Sequence, residues 1–226
     1  MINKYEYIIS LGEDCFPRSF IDRYNLRSRF PVRMPFDGSI HPYKSVCALI
    51  KSDFEDYLLD IKFSNDHFAN TKYHICWNHE KTRELESFKE QNTKRVEQFK
   101  NALLSSKSIM FILHLNNKSP DYNVDELINV IASRYPALKF HLFVFNNLCK
   151  EYRRECHGQY TYLSLYWDPP GILHENLGMD FIIQMYKTEY GIYYSQRVLE
   201  EFCVSLDEDM NKYFLDKSYN FDKELK

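Results

Sequence analysis

Tyr-Glu-Tyr-Ile-Ile-Ser-Leu-Gly-Glu-Asp-Cys, residues 5–15, runs an apolar strand pattern into a glycine, two acids and a cysteine. The segment that follows, Cys15 to Tyr24, carries Phe16, Phe20 and Tyr24 at i, i+4 and i+8, one apolar face of a helix. Strand, tight turn and helix make the opening unit of an open α/β sheet. In such sheets ligands sit outside the carboxyl ends of the strands, where a helix start points free N–H groups at them. Cys15 falls at that helix start, a position that stabilises a thiolate and makes the sulfur reactive. The competing reading is a small buried hydrophobe packing the first turn.

Outward from this stretch the chain alternates strands and helices. Ser108 to Leu115 is a continuous apolar run of the kind a central parallel strand shows, because helices cover both of its faces. Lys139 to Phe145 reads as a second buried strand and Tyr160 to Tyr166 as a further one. Between the first two, Val124, Leu127, Ile128 and Ile131 form a helical stripe that stops before Pro136. Phe88, Asn92, Val96, Phe99 and Leu103 step by threes and fours along a long helix from Leu85, and Val46, Leu49 and Ile50 start a shorter one. Val32 to Asp37, broken by Pro31 and Pro35 and ended by Gly38, reads as a brief second strand delivering Asp37 to a loop. Residues 54–80 show no clear period. After the loop Asp168-Pro169-Pro170-Gly171, Phe181, Ile182 and Met185 mark a helix packing back on the sheet. The pattern predicts a single three-layer α/β domain over residues 1–205, with a mostly parallel, flavodoxin-like sheet, and a loosely ordered polar tail over 206–226.

Composition bounds the function. With 226 residues, 44% of them hydrophobic, the chain can build a real core. A net charge of −3 and the lack of any Lys/Arg-rich block argue against a nucleic-acid partner, despite 18 tyrosines able to stack on bases. No stretch approaches the ~20 apolar residues of a membrane span, and the N-terminal pattern is not that of a secretory signal, so a cytoplasmic protein is expected. Six cysteines with no CxxC pair read as free thiols in a reducing compartment. His67, His74 and His79 lack a matching ligand set at metal-site spacing, so no metal and no cofactor is expected.

The polar residues at strand ends share one rim: Cys15 after the first strand, Asp37 after the second, His114, Asn116 and Asn117 at the third, Asn146 and Asn147 at the fourth, Asp168 and His174 at the last. Asp14, Asn116, Asn117 and Asp168 are the candidate substrate contacts. His114, inside a buried strand, reads as a satisfied core residue.

Two resemblances bear on this rim. Ile9-Ser-Leu-Gly-Glu-Asp-Cys15, Pro17-Arg18, Leu26-Arg27, Pro35-Phe-Asp37, His79 and Lys94-Arg-Val96 together resemble a bacterial family of unknown function labelled papain-like cysteine peptidases. That resemblance implies Cys15 as nucleophile, Asp37 as acid and His79 as base; where the family has Trp after Pro-Phe-Asp, this chain has Gly38. Gly12-Glu-Asp-Cys15 is also similar to the Gly-Asp-Ser turn of SGNH-type esterases, with one extra residue and sulfur for oxygen. Those enzymes place an Asn after the third strand and an Asp-x-x-His before the last helix, which Asn116 or Asn117, Asp168 and His174 resemble at a wider spacing.

A thiol nucleophile needs an adjacent imidazole, itself oriented by a carboxylate or amide, and a pair of oxyanion donors. His79 with Asp37 and His174 with Asp168 are the competing bases. The N–H of Cys15 or Phe16, with an Asn116 or Asn117 amide, are the candidate donors. The expectation is a cysteine hydrolase acting through a thioester on a small-molecule or peptide substrate. The alternative is a non-catalytic sugar- or nucleotide-binding module on the same rim, and a protein-interaction domain has only the abundant tyrosines in its favour. The sequence leaves the oligomeric state undefined.

Overall fold

The computed structural model describes residues 5–26, 33–106, 108–115, 122–147, 149–166 and 189–206. Five strands form the main sheet: β1 (Tyr7–Ser10), β5 (Ser108–Leu115), β6 (Lys139–Asn146), β7 (Arg153–His157) and β8 (Tyr160–Ser164), in the order β1-β5-β6-β8-β7. β1, β5, β6 and β8 are parallel, with Ile9 opposite Phe111, Leu113 opposite Val144 and Phe145 opposite Leu163. β7 returns antiparallel against β8 through a short turn. The mostly parallel sheet expected from the buried runs is therefore present, with an antiparallel edge that those runs did not announce.

Alternate side chains of the central strands feed two apolar clusters. Ile109, Phe111, Leu113 and Leu115 of β5 and Leu142 and Val144 of β6 pack with α2 (Tyr43–Lys51), α3 (Leu85–Ser105) and α4 (Val124–Arg134). Met110, Ile112, Phe143 and Phe145 pack instead with α1 (Phe16–Arg23) and α5 (Glu189–Leu206). The period-2 alternation of a strand assigns each residue to one cluster or the other. Each helix start follows its chemistry. Asn123 caps α4 by accepting from the N–H groups of Asp125 and Glu126, and Pro17 sits in the first turn of α1, where its missing N–H costs nothing.

The region without period, 54–80, holds a second, antiparallel sheet of β2 (Ile61–Ser64), β3 (His67–Asn70) and β4 (Ile75–Trp77). Its inner face is aromatic: Phe68 stacks on Phe88 of α3 with centroids 4.1 Å apart, and Trp77 meets the same ring edge-on at 5.0 Å. A bridge between Ile40 and Cys76 ties this sheet to the segment before α2. The expected strand over 32–37 is a correction. Residues 35–38 form a turn, because Asp37 Oδ2 accepts the Met34 N–H at 2.8 Å, a local bond that competes with strand pairing. The loop at 168–171, the helix near 181–185 and the polar tail lie outside the described residues. Among the described residues no helix is long and apolar enough to cross a membrane.

Candidate functional site

Parallel pairing brings the ends of β1, β5 and β6 to one rim, and the loop after β1 is tied down there residue by residue. Gly12 has φ +85°, and a Cβ at that position would lie 3.1 Å from His41 Cβ, so only glycine passes without strain. Glu13 Oε1 accepts the Tyr43 N–H at 3.2 Å, placing a carboxylate on the positive end of α2. Asp14 Oδ1 accepts the Phe16 N–H at 2.9 Å and its Oδ2 meets His114 Nδ1 at 2.8 Å. Both oxygens of a residue expected to touch substrate are therefore engaged within the protein. On the far side of the ring, His114 Nε2 lies 3.0 Å from Asn147 Oδ1.

His114 has an acceptor on each nitrogen, an arrangement that fits the doubly protonated ring. Burial alone would push its pKa down, but the Asp14 carboxylate, with help from Asn147 and Glu13, outweighs burial and raises it. The sequence placed His114 correctly as buried and satisfied. Its ion pair with Asp14 was the part missed, since the two residues are 100 positions apart and share only a sheet register.

Cys15 is the N-cap residue of α1, as the strand–turn–helix pattern predicts. It is 5% exposed, yet it belongs to neither apolar cluster; Phe16 and Phe20 pack elsewhere, against Phe145 and Phe202. The groups acting on its sulfur are Asp14, Arg18, Cys76 and the Asn78 amide. Burial, then the Asp14 charge, pushes the thiol up to about 12, with Arg18 and Asn78 pulling the other way.

His79 follows β4 and is exposed. It shares a corner with Arg18 around Gly38: a Cβ on Gly38 would lie 3.1 Å from Arg18 Nη1 and 3.6 Å from His79 Cβ. Partial desolvation and the guanidiniums of Arg18 and Arg33 hold the imidazole below its ordinary value, against the opposing pull of Glu80. His79 is thus neutral at neutral pH. No hydrogen bond joins it to Cys15 or to Asp37 among the described residues; Asp37 is buried and holds the 34–37 turn. Beneath the corner Arg95 makes a bidentate ion pair with Glu80 and also bonds Asn92, both partners almost fully buried.

Gly38, the residue next to Asp37, lies against Arg18 and His79, and the charges of Arg18 and Asp14 act on the Cys15 sulfur; no contact joins Cys15 to His79 among the described residues. Asn116, Asn117, Asp168 and His174 lie outside the described residues. The Phe16 N–H, one of the expected oxyanion donors, is already given to Asp14, which leaves the Cys15 N–H. Arg18 was part of a quoted motif but not a candidate; its spacing three residues after Cys15, on the same helix, was the available signal. Among the described residues no group of three His, Cys, Asp or Glu is placed to hold a metal ion. Comparison of the chain with protein-family models, with curated proteins and with solved structures finds no match.

Proposed function

We propose that the chain is a cysteine-dependent hydrolase, of peptidase or esterase type, with Cys15 as nucleophile and His79 as base. The observation that carries this reading is a cysteine buried at a helix start yet in neither apolar cluster, under the charge of Arg18, whose guanidinium lies with His79 against Gly38. In the reaction His79 takes the thiol proton, the sulfur attacks the acyl carbon, and the imidazolium protonates the leaving group as its bond breaks. Water, activated by the same ring, then cleaves the thioester. The Cys15 N–H faces the developing oxyanion. Because the resting thiol is protonated, activation depends on the histidine rather than on a pre-formed thiolate. The resemblance to the papain-like peptidase family supports the reaction class. The three-layer, flavodoxin-like architecture belongs to the same reading. The two apolar clusters support the layering, and a flavodoxin-like order would need a further strand outside β1, which is not among those described.

Turnover of an activated acyl ester tests this. Cys15→Ala should abolish it with a single labelled peptide lost in mass spectrometry, and His79→Gln should lower it by about 100-fold or more. Turnover equal to wild type in both variants sinks the proposal. One specific observation favours a second reading, a non-catalytic binding module: the sulfur is nearly inaccessible and hydrogen-bonded to no histidine among the described residues. In that case Cys15→Ala binds ligand as wild type does and no variant alters ester hydrolysis.

A further inference from the structure

A cavity of about 640 Å³ lies at the other end of the main sheet, lined by Ser108, Lys139 and His141 where β5 and β6 begin, by Cys156 and Gly158 around the β7–β8 turn, and by Ser205 of α5. The eight-residue strands β5 and β6 set it about 20 Å from the rim that holds Cys15. Its polar wall is tied together across β6, β7, β8 and α5. Thr161, only 2% exposed, has its hydroxyl 2.9 Å from His141 Nε2 and 3.5 Å from Ser205 Oγ. Arg154 donates from Nη1 to Cys156 Sγ at 2.9 Å and from Nη2 to Ser205 Oγ at 3.4 Å. A wall so braced keeps its shape before a ligand arrives, which lowers the cost of binding. Charge in the cavity has one sign: Lys139, Arg154, His141 and His157 line it, and no Asp or Glu does among the described residues. Glu155 of β7 is spent on Arg153 and His157, and Glu201 of α5 on Arg154. Lys139 is exposed and makes no ion pair or side-chain hydrogen bond among the described residues. A Cβ on Gly158 would meet nothing within 4 Å, so that side is open space. Tyr5 and Phe140 add aromatic surface, and the volume is that of an organic ligand site, of which a lone inorganic anion would fill a small part.

We propose that this cavity binds a small organic anion, its phosphate or carboxylate held by Lys139 with Arg154 behind it and its carbon body against Tyr5 and Phe140. A free ammonium beside a guanidinium already fixed in place offers charge-assisted hydrogen bonds to an oxyanion without stranding any carboxylate. The site lies away from the Cys15 rim and does not depend on the hydrolase reading.

Cys156 supplies the reporter, because it lines the cavity and is the exposed member of the six free cysteines. In the full-length chain its alkylation by iodoacetamide is timed by peptide mass spectrometry in the presence of phenyl phosphate, benzoate or benzyl alcohol at equal ionic strength. A bound anion covers the thiol, so the Cys156 rate should fall with the occupied fraction while the rate at Cys149, outside the cavity lining, stays the same. Protection by phenyl phosphate alone marks a phosphate ligand, and protection by benzoate alone a carboxylate one. Benzyl alcohol, with the ring but no charge, should not protect. Lys139→Gln should raise the concentration needed for protection by about tenfold or more, and Lys139→Arg should restore it. Both changes fall on an exposed side chain, so the fold is kept. Cys15→Ala should protect as wild type does. Alkylation indifferent to both anions, protection by benzyl alcohol equal to theirs, or protection unchanged in Lys139→Gln overturns the proposal.

Discussion

His41 and His114 are both buried and both touch the loop after β1, and their pKa values are pushed in opposite directions. His41 sits among Ser39 Oγ at 3.1 Å, Tyr57 OH at 3.4 Å and the rings of Phe36 and Trp77. With hydroxyls and aromatic faces for company, burial dominates and drops its pKa to about 3. His114 is as deeply buried, against Phe16 and Phe145, but a carboxylate lies 2.8 Å from one nitrogen, and its pKa moves up. Burial sets the size of the stake, and the nearest partner sets its sign. The loop between them meets an uncharged histidine on one side, at Gly12, and a histidine bonded to the Asp14 carboxylate on the other.

The hardest blow to this contrast is Asp14→Ala, which takes the carboxylate from the buried His114 ring and frees the Phe16 N–H. Removing one partner of a buried pair costs about 3–5 kcal/mol, to be read from urea unfolding. A loss under about 1 kcal/mol would mean that His114 is neutral after all. A gentler and sharper probe is the pH dependence of stability, in which the two histidines have opposite signs. His41 has a lowered folded pKa, so its contribution is whole above the unfolded value of about 6.5 and is lost as pH falls towards about 3. His114 has a raised folded pKa, so its contribution is whole below about 6.5 and is lost as pH rises through the folded value. His41→Gln should remove an acid-side slope of up to about 1.4 kcal/mol per pH unit and leave the alkaline side intact. A variant with the wild-type acid limb would show that His41 does not set it. The smallest expected effect is Gly12→Ala, which forces a side chain into positive φ against His41 Cβ and should cost about 1–2 kcal/mol without altering either pH limb.

Period and length made much of this fold legible. The runs 108–115 and 139–145 read as strands because apolar residues dominate both faces over a length short for a helix. The 85–103 stripe is a helix because its spacing admits nothing else. Cys15 at a helix start followed from the same logic. The small sheet at 61–77 escaped because its strands are three or four residues long and exposed on one face, too short for alternation to register. The last helix was readable in Tyr194, Val198, Leu199, Phe202 and Leu206, a stripe passed over for the apolar residues before it. In the site, the nucleophile and base candidates came from local motif, whereas the Asp14–His114 pair depends on a contact across the fold that no local spacing encodes.

The reversed strand β7 has a consequence for how the molecule meets copies of itself. A parallel sheet ending on β8 would offer a row of apolar side chains and open backbone groups as a template for another chain. Among the described strands β7 instead closes that side, with Arg153, Arg154, Glu155 and His157. Any strand docking there would have to strip water from at least three charges, and Arg154 is already moored to Glu201 of α5 at 3.0 Å. A charged antiparallel strand in that position disfavours pairing with a second chain while the interior strands β5 and β6 stay apolar.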